Sequence, residues 1–268
     1  MDFDREAYLN RIGLDDTVAS TETGLEALHR AQTYSIPFEN FDIHLGRGIS
    51  LASQHLFNKL VNHQRGGYCF ELNCLFGMAL DAFGFERRPL LARSQRRGEP
   101  TSRTHLLNLV RLDGRDWIAD PGFGPIQLRG PMPLERDRIE TQDGLKFRMI
   151  DGGDFGTMMQ FMENEVWKNW YSFDMEHVWP VDIELGNYFT STHPDVYFTQ
   201  ARVAVRTIPF GKITLMDFRL REYSNGDVTE TMLESGPAYL KSLERKFGIV
   251  IDEPYEALKP ISSEAAEA

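Results

Sequence analysis

The spacing of apolar side chains along this 268-residue chain changes near residue 84. Before that point they recur with the 3.6-residue period of helices; after it they follow the two-residue alternation of strands. A chain patterned in this way is neither all-helical nor all-sheet. Nor does it alternate strand and helix as a parallel α/β fold requires. In the first part, Leu25, Leu28 and Ala31 follow Ser20-Thr21 at helical spacing, with Glu22 at the start. Pro37 stops that helix, and residues 36–45 read as a loop. Leu51, Leu56, Phe57, Leu60 and Val61 form a second stripe, broken by Gly66-Gly67. A third helix is expected from Cys69 to Phe83, with Gly84 as its C-cap.

Beyond Arg87 the reading is strands. Leu90-Leu91, Thr104 to Leu112 and Arg115 to Ala119 come first, and Asp113-Gly114 between the last two signals a two-residue hairpin. Strand-like runs continue at 145–150, 157–163 and 167–173, then at 201–207, 212–216, 218–223 and 228–232. Asn225-Gly226 joins the final pair. A helix over 237–247 and an acidic tail after Pro254 and Pro260 close the chain. Helices, then strands, then strands with a helix predict an α+β protein in three segments: 1–84, 85–188 and 189–268.

Composition excludes several functions. Forty acidic against 29 basic residues leave a net charge of −11, which disfavours nucleic acid as the main partner. No apolar run is long enough to form a membrane-spanning helix. The acidic start, Met1 to Tyr8, has no apolar signal core, which with the low cysteine count points to a cytoplasmic protein. Two cysteines cannot build a disulfide scaffold or a four-cysteine zinc site, and no histidine pair follows at zinc-finger spacing, so no metal is expected. Gly-rich phosphate-loop and dinucleotide fingerprints are absent.

Chemistry concentrates at Cys69, which follows Arg65-Gly66-Gly67-Tyr68 and opens the third helix. The free N–H groups and positive dipole end of a helix N-terminus favour a thiolate. The two glycines are read as leaving room above the sulfur. The alternative is a small buried core residue. Cys74, about 140° further round the same helix, reads as core. A nucleophilic Cys needs a His base and an orienting group. With Asp113-Gly114 as the hairpin loop, His105 falls opposite Gly122. Asp120 is then its diagonal neighbour on the same sheet face, about 7–8 Å away at the backbone. Asp120 can hold one imidazole nitrogen while the other faces Cys69. Read alone, Asp120 is equally a turn residue before Pro121-Gly122, and His105 an ordinary strand residue. His29, His55 and His63 read as solvated helix positions, His44 and His193 as loop residues, and His177 as packed among Trp and Pro. Glu39 and Arg65 read either as a pair holding the nucleophile loop or as two unrelated surface charges.

R-G-G-Y-C-F-E-L-N at 65–73, I-P-F-E-N-F-D-I at 36–43, T-H-L-L-N-L-V at 104–110 and D-P-G-F-G at 120–124 resemble, in order, motifs of the arylamine N-acetyltransferase family, including its N-hydroxyarylamine O-acetyltransferases. The resemblance implies an N-terminal helical bundle, a central antiparallel β-barrel and a C-terminal α/β lid. It also implies a cysteine-protease-like triad in which Cys69 takes acetyl from acetyl-CoA, His105 is the base and Asp120 its orienter. The acceptor would be an arylamine, hydrazine or N-hydroxyarylamine. Pro121 departs from the family, which more often has a β-branched residue there. Phe38 and Phe123, with Gly124, match acceptor-pocket positions. Thr104 and Gly124 are candidates for contact with CoA, and Arg93 to Gly98 is a basic stretch that could meet its phosphates. The same triad would also serve a cysteine hydrolase, a transglutaminase-like enzyme or a macrocycle-forming amide synthase. A non-catalytic binding protein would not need it. The sequence assigns no oligomeric state.

Overall fold

The structure is a computed structural model that describes residues 3–15, 18–96 and 101–261. The N-terminal part contains α1 (Arg5–Ile12), α2 (Glu22–Ser35), a two-residue β1 (Phe38–Glu39), a single-turn α3 (Phe41–His44), α4 (Ser53–Phe57) and α5 (Cys69–Ala82). A π-helical turn, Asn58–Asn62, extends α4. Asp4 caps α1 and Thr21 caps α2, each accepting a bond from the amide three residues on. The buried stripe of α2 is Leu25, Leu28, His29, Gln32 and Thr33, so Ala31, expected on the apolar face, is only half-buried.

The sheet region begins with β2 (Glu86–Ser94), β3 (Arg103–Leu112), β4 (Arg115–Ala119), β5 (Met132–Pro133), β6 (Glu140–Gln142), β7 (Leu145–Asp151), β8 (Thr157–Glu163) and β9 (Val166–Phe173). These strands form one antiparallel sheet in the order β5-β4-β3-β2-β9-β8-β7-β6, rolled into a near-closed barrel. The β3–β4 register is the one the sequence implies, with Leu112 opposite Arg115 and Asn108 opposite Ala119. Asp113 and Gly114 both have positive φ, at 50° and 75°, as a type I′ hairpin requires. β3 is central and buried on both faces over most of its length.

Next come α6 (Pro180–Thr192) and α7 (Tyr197–Gln200), then a second sheet of β10 (Val203–Ile208), β11 (Gly211–Met216), β12 (Arg219–Ser224) and β13 (Asp227–Met232), and finally α8 (Pro237–Phe247). β1 joins the free edge of β10, so the N-terminal part donates a strand to the C-terminal sheet. Residue 188, placed at a segment boundary by the sequence, lies inside α6. Neither α6 nor the short β1, β5 and β6 is legible in the periodicity. α6 inverts the usual pattern. Its inner face is Gly186, Asn187, Thr190 and Ser191, while Val181, Leu185 and Tyr188 are each about two-thirds exposed, at 65%, 68% and 68%. Among the described residues no helix is long and apolar enough to cross a membrane. Those residues also hold no cluster of three His, Cys, Asp or Glu side chains arranged for a metal.

One buried group sets a pH dependence. His29, on α2, is fully buried, and desolvation moves its pKa down from 6.5 to about 4. As pH falls below 6.5 the unfolded chain takes up a proton at this position that the folded chain refuses. Stability is therefore present above 6.5 and lost between 6.5 and 4. The His29 contribution lost by pH 4 is about 3 kcal/mol. Urea denaturation at pH 7 and pH 4.5 is expected to show this loss, and His29→Gln is expected to flatten it.

Candidate active site

Cys69 is the first residue of α5, and its thiol is almost wholly buried, at 5% exposure. The loop before it is held from two sides. Gly67 N–H donates to the Pro37 carbonyl (3.2 Å) and Glu39 N–H to the Gly67 carbonyl (3.0 Å), so residues 65–68 lie flat against β1. Gly66 and Gly67 are needed for this approach: a Cβ on Gly66 would sit 2.3 Å from the Pro37 oxygen, and one on Gly67 2.8 Å from Glu71 Cβ. The two glycines therefore make room for neighbouring protein rather than for a ligand above the sulfur.

Beneath the loop lies a chain of buried charges. Arg65 Nε and NH2 donate to Glu39 Oε1 at 3.0 and 2.7 Å, so the pairing read from the sequence exists in the fold. Arg65 NH2 also reaches Asp42 Oδ1 (3.2 Å), whose second oxygen takes Lys59 Nζ at 2.7 Å. Lys59 continues to Glu71 Oε1 at 2.8 Å, and Glu71 Oε2 accepts the Tyr68 N–H at 3.0 Å, capping α5. Glu39 Oε2 closes the other end by accepting the Phe41 N–H at 2.7 Å. Burial pushes the Asp42 carboxyl up, but Lys59 and Arg65 outweigh it and hold it below the usual carboxylate range.

β3 delivers His105 and the turn after β4 delivers Asp120, both buried. His105 Nε2 lies 2.7 Å from Asp120 Oδ2. The expected pairing of His105 with Gly122 does not form: the ladder ends at Asn108–Ala119, and the chain turns there. Asp120 Oδ1 instead accepts from Gly122 N–H (3.2 Å) and Asn73 Nδ2 (2.9 Å). The Gly122 bond skips the residue between, so the missing N–H of Pro121 costs nothing. Burial pushes the Asp120 carboxyl up, yet His105, Asn73 and Gly122 together hold it below its ordinary range. With Nε2 committed to Asp120, Nδ1 is the imidazole nitrogen left for other work.

The thiol departs from the expectation raised by its helix position. Burial pushes Cys69 up and Asp120 pushes it further, while the N–H groups of Phe70 and Cys69 pull it down by less. Burial therefore opposes the helix dipole at this sulfur, which lies 3.9 Å from the Thr104 carbonyl. A helix dipole alone does not ionise a cysteine sealed from water. Cys74 is half-buried at the edge of the helical core, where burial pushes its thiol up to about 12.

Phe123 meets the His105 ring edge-on at 4.4 Å and packs on Trp170 and Tyr171, both at 4.8 Å. Phe38 is buried beside Gly124, whose φ of +92° suits glycine, and faces Phe198 at 5.7 Å. Thr104 offers its backbone carbonyl to Cys69 and turns its hydroxyl to the Ser102 carbonyl, at 3.2 Å. Arg96 lies over the Trp170 ring at 4.9 Å and Arg93 donates to the Thr101 carbonyl. Arg97 and Gly98 lie outside the described residues. Sequence reasoning missed Asn73 and His29. Asn73 follows Cys69 by four positions on α5, a same-face spacing. His29 follows Leu25 by four on the buried stripe of α2 and donates nothing to solvent; it accepts the Asp120 N–H at 3.0 Å.

Breaking the charge chain has a stated cost. Lys59→Met leaves Asp42 and Glu71 buried without their shared cation, and denaturant titration is expected to show a loss of about 3–5 kcal/mol.

Comparison with known proteins bears on the family and the fold. The family model described as N-acetyltransferase matches residues 22–255. The chain is 35% identical over 250 residues to the arylamine N-acetyltransferase of Escherichia coli (strain K12), covering 92% of this chain and 89% of that one. The solved arylamine N-acetyltransferase from Salmonella typhimurium superposes with a TM-score of 0.89 at 32% identity, covering 98% of this chain and 96% of that one. The Mycobacterium marinum arylamine N-acetyltransferase solved in complex with CoA gives a TM-score of 0.86 at 31% identity, covering 92% and 93%. A matched model spanning most of the chain, and relatives aligned over nearly its whole length, place this protein in the arylamine N-acetyltransferase family.

Proposed function

We propose that this protein transfers the acetyl group of acetyl-CoA to arylamines, arylhydrazines or N-hydroxyarylamines through a thioester on Cys69. The observation that carries the reading is the buried His105 Nε2–Asp120 Oδ2 contact of 2.7 Å, beside a helix-opening cysteine hydrogen-bonded to the residue preceding His105. The relative bearing CoA supports the donor, and the names of the relatives support the acceptor class.

Burial disfavours an unpaired thiolate at Cys69, so the thiol proton needs a base within the site. His105 Nδ1 accepts that proton while Sγ bonds to the thioester carbonyl carbon. Asp120 stays ionised despite burial and stabilises the imidazolium. Collapse of the tetrahedral adduct breaks the carbon–sulfur bond to CoA, and the imidazolium returns its proton to the departing CoA thiolate. The acceptor nitrogen or hydroxylamine oxygen then attacks the acetyl-Cys69 carbonyl, and His105 removes the acceptor's proton. Breakage of the Cys69 thioester releases the acetylated product and restores the thiol. Phe38 and Phe123 supply flat apolar walls suited to an aromatic acceptor. Gly124, whose φ of +92° keeps a side chain off this edge, lets the donor approach the backbone closely.

Incubation with acetyl-CoA and no acceptor is expected to add about 42 Da to the Cys69 peptide, one acetyl group. Adding an arylamine should discharge it. No adduct, with peptide hydrolysis in its place, would favour a cysteine hydrolase. An adduct only from carrier-bound thioesters would favour an amide synthase. Asp120→Asn is expected to lower kcat by about 10³- to 10⁴-fold, because the imidazole tautomer is no longer enforced. A rate near that of the unaltered protein would remove Asp120 from the mechanism.

A further inference from the structure

We infer that His29 is a positioning residue for the transfer reaction: from α2 it holds the backbone of the 120–129 loop and so sets the aim of the Asp120 carboxylate at His105. The inference rests on the role proposed above for His105 and Asp120.

The need arises where the hairpin ends. The β3–β4 ladder stops at Asn108–Ala119, so the next amide, that of Asp120, has no strand partner, and it is buried. A buried N–H left without an acceptor costs about 1–3 kcal/mol. His29 Nε2 takes that amide at 3.0 Å. A backbone N–H can donate only to an unprotonated ring nitrogen, so the single imidazole proton belongs on Nδ1. Nδ1 lies 3.5 Å from Thr33 Oγ1 one helical turn away. Phe76 of α5 packs edge-on against the ring at 5.5 Å. One neutral imidazole therefore holds the start of the loop that carries Asp120, Phe123 and Gly124, and it is itself wedged against the helix that carries Cys69 and Asn73.

The remaining bonds to Asp120 act on its side chain. Asn73, Gly122 and His105 fix where the carboxylate oxygens point once the backbone is in place. His29 acts one step earlier, on the main chain from which that carboxylate projects. Without the His29 acceptor, the Asp120 amide would turn toward water or another oxygen, and the His105 contact would lengthen.

Three variants separate this role from simple packing. His29→Gln keeps an acceptor oxygen near the Nε2 position. His29→Asn keeps a polar side chain that is too short to reach Asp120. His29→Leu fills the volume without an acceptor. The readouts are kcat and KM for acetyl transfer, the rate of Cys69 alkylation by iodoacetamide, and the NMR signal of the His105 Nε2 proton. Asn and Leu are expected to lower kcat and alkylation by about 10- to 100-fold with KM nearly unchanged, the cost of a misplaced catalytic group. They should also shift the His105 proton signal, while Gln stays within about threefold of the unaltered protein. A folded His29→Asn with unchanged alkylation and kcat would overturn the inference, as would a Gln variant that falls as far as Asn. If the variants do not fold, nitrogen-15 NMR of the unaltered protein decides: Nε2 of His29 must be unprotonated, and a proton there refutes the assignment. Alkylation and NMR need no acetyl donor. A failed acetyl adduct beside an intact alkylation pattern would therefore count against the proposed reaction and not against His29.

Discussion

Five charged side chains buried beneath the 65–69 loop, Glu39, Asp42, Lys59, Arg65 and Glu71, hold the nucleophile-bearing helix to the rest of the molecule. Each alone would be prohibitively costly away from water. Together they form an unbroken chain in which both cations are shared and the outer carboxylates end on the backbone amides of Phe41 and Tyr68. Three carboxylates against two cations leave an excess negative charge, partly met by Arg47, 3.7 Å from Asp42 at the rim. An apolar core of the same volume would pack as well but would not dictate which amide each end must meet. The network ties β1, α4 and the start of α5 into one geometry, and β1 in turn edges the C-terminal sheet.

That rigidity matters because the site works by burial. Cys69 is pushed toward the neutral thiol and Asp120 is held as a carboxylate, though the two are close enough for the carboxylate to act on the thiol. A permanently ionised cysteine would need no base. One that burial pushes toward the thiol depends on a neighbouring base to take its proton. The price is geometric: Cys69, His105 and Asp120 are all buried, so each must already be in place.

Much of this was legible in advance where the physics is local. The Asp113-Gly114 turn dictates its own φ signs and sets the register as far as Asn108–Ala119; beyond it the ladder ends, and Asp120 meets His105 from a turn that the strand period does not describe. What escaped depended on neighbours distant in sequence. α6 hides because the surface it faces wants small side chains: a Cβ on Gly186 would lie 2.8 Å from the Phe70 ring. β1, β5 and β6 are too short to carry a period and exist only because other strands present free edges. His29 read as solvated although its spacing from Leu25 put it on the buried stripe of α2; the residue type outweighed the pattern.

By itself the sequence determined the helix-then-strand order, the hairpin register and the residue types that bear the chemistry, because turn sterics and side-chain periodicity operate over a few neighbouring residues. Only the tertiary structure decided the burial of the Cys69 thiol, which nitrogen of His105 meets Asp120, the enlistment of Asn73 and His29, and the space that Gly66 and Gly67 actually leave. Those properties depend on desolvation and on hydrogen-bond partners supplied by segments far along the chain, which no local pattern encodes.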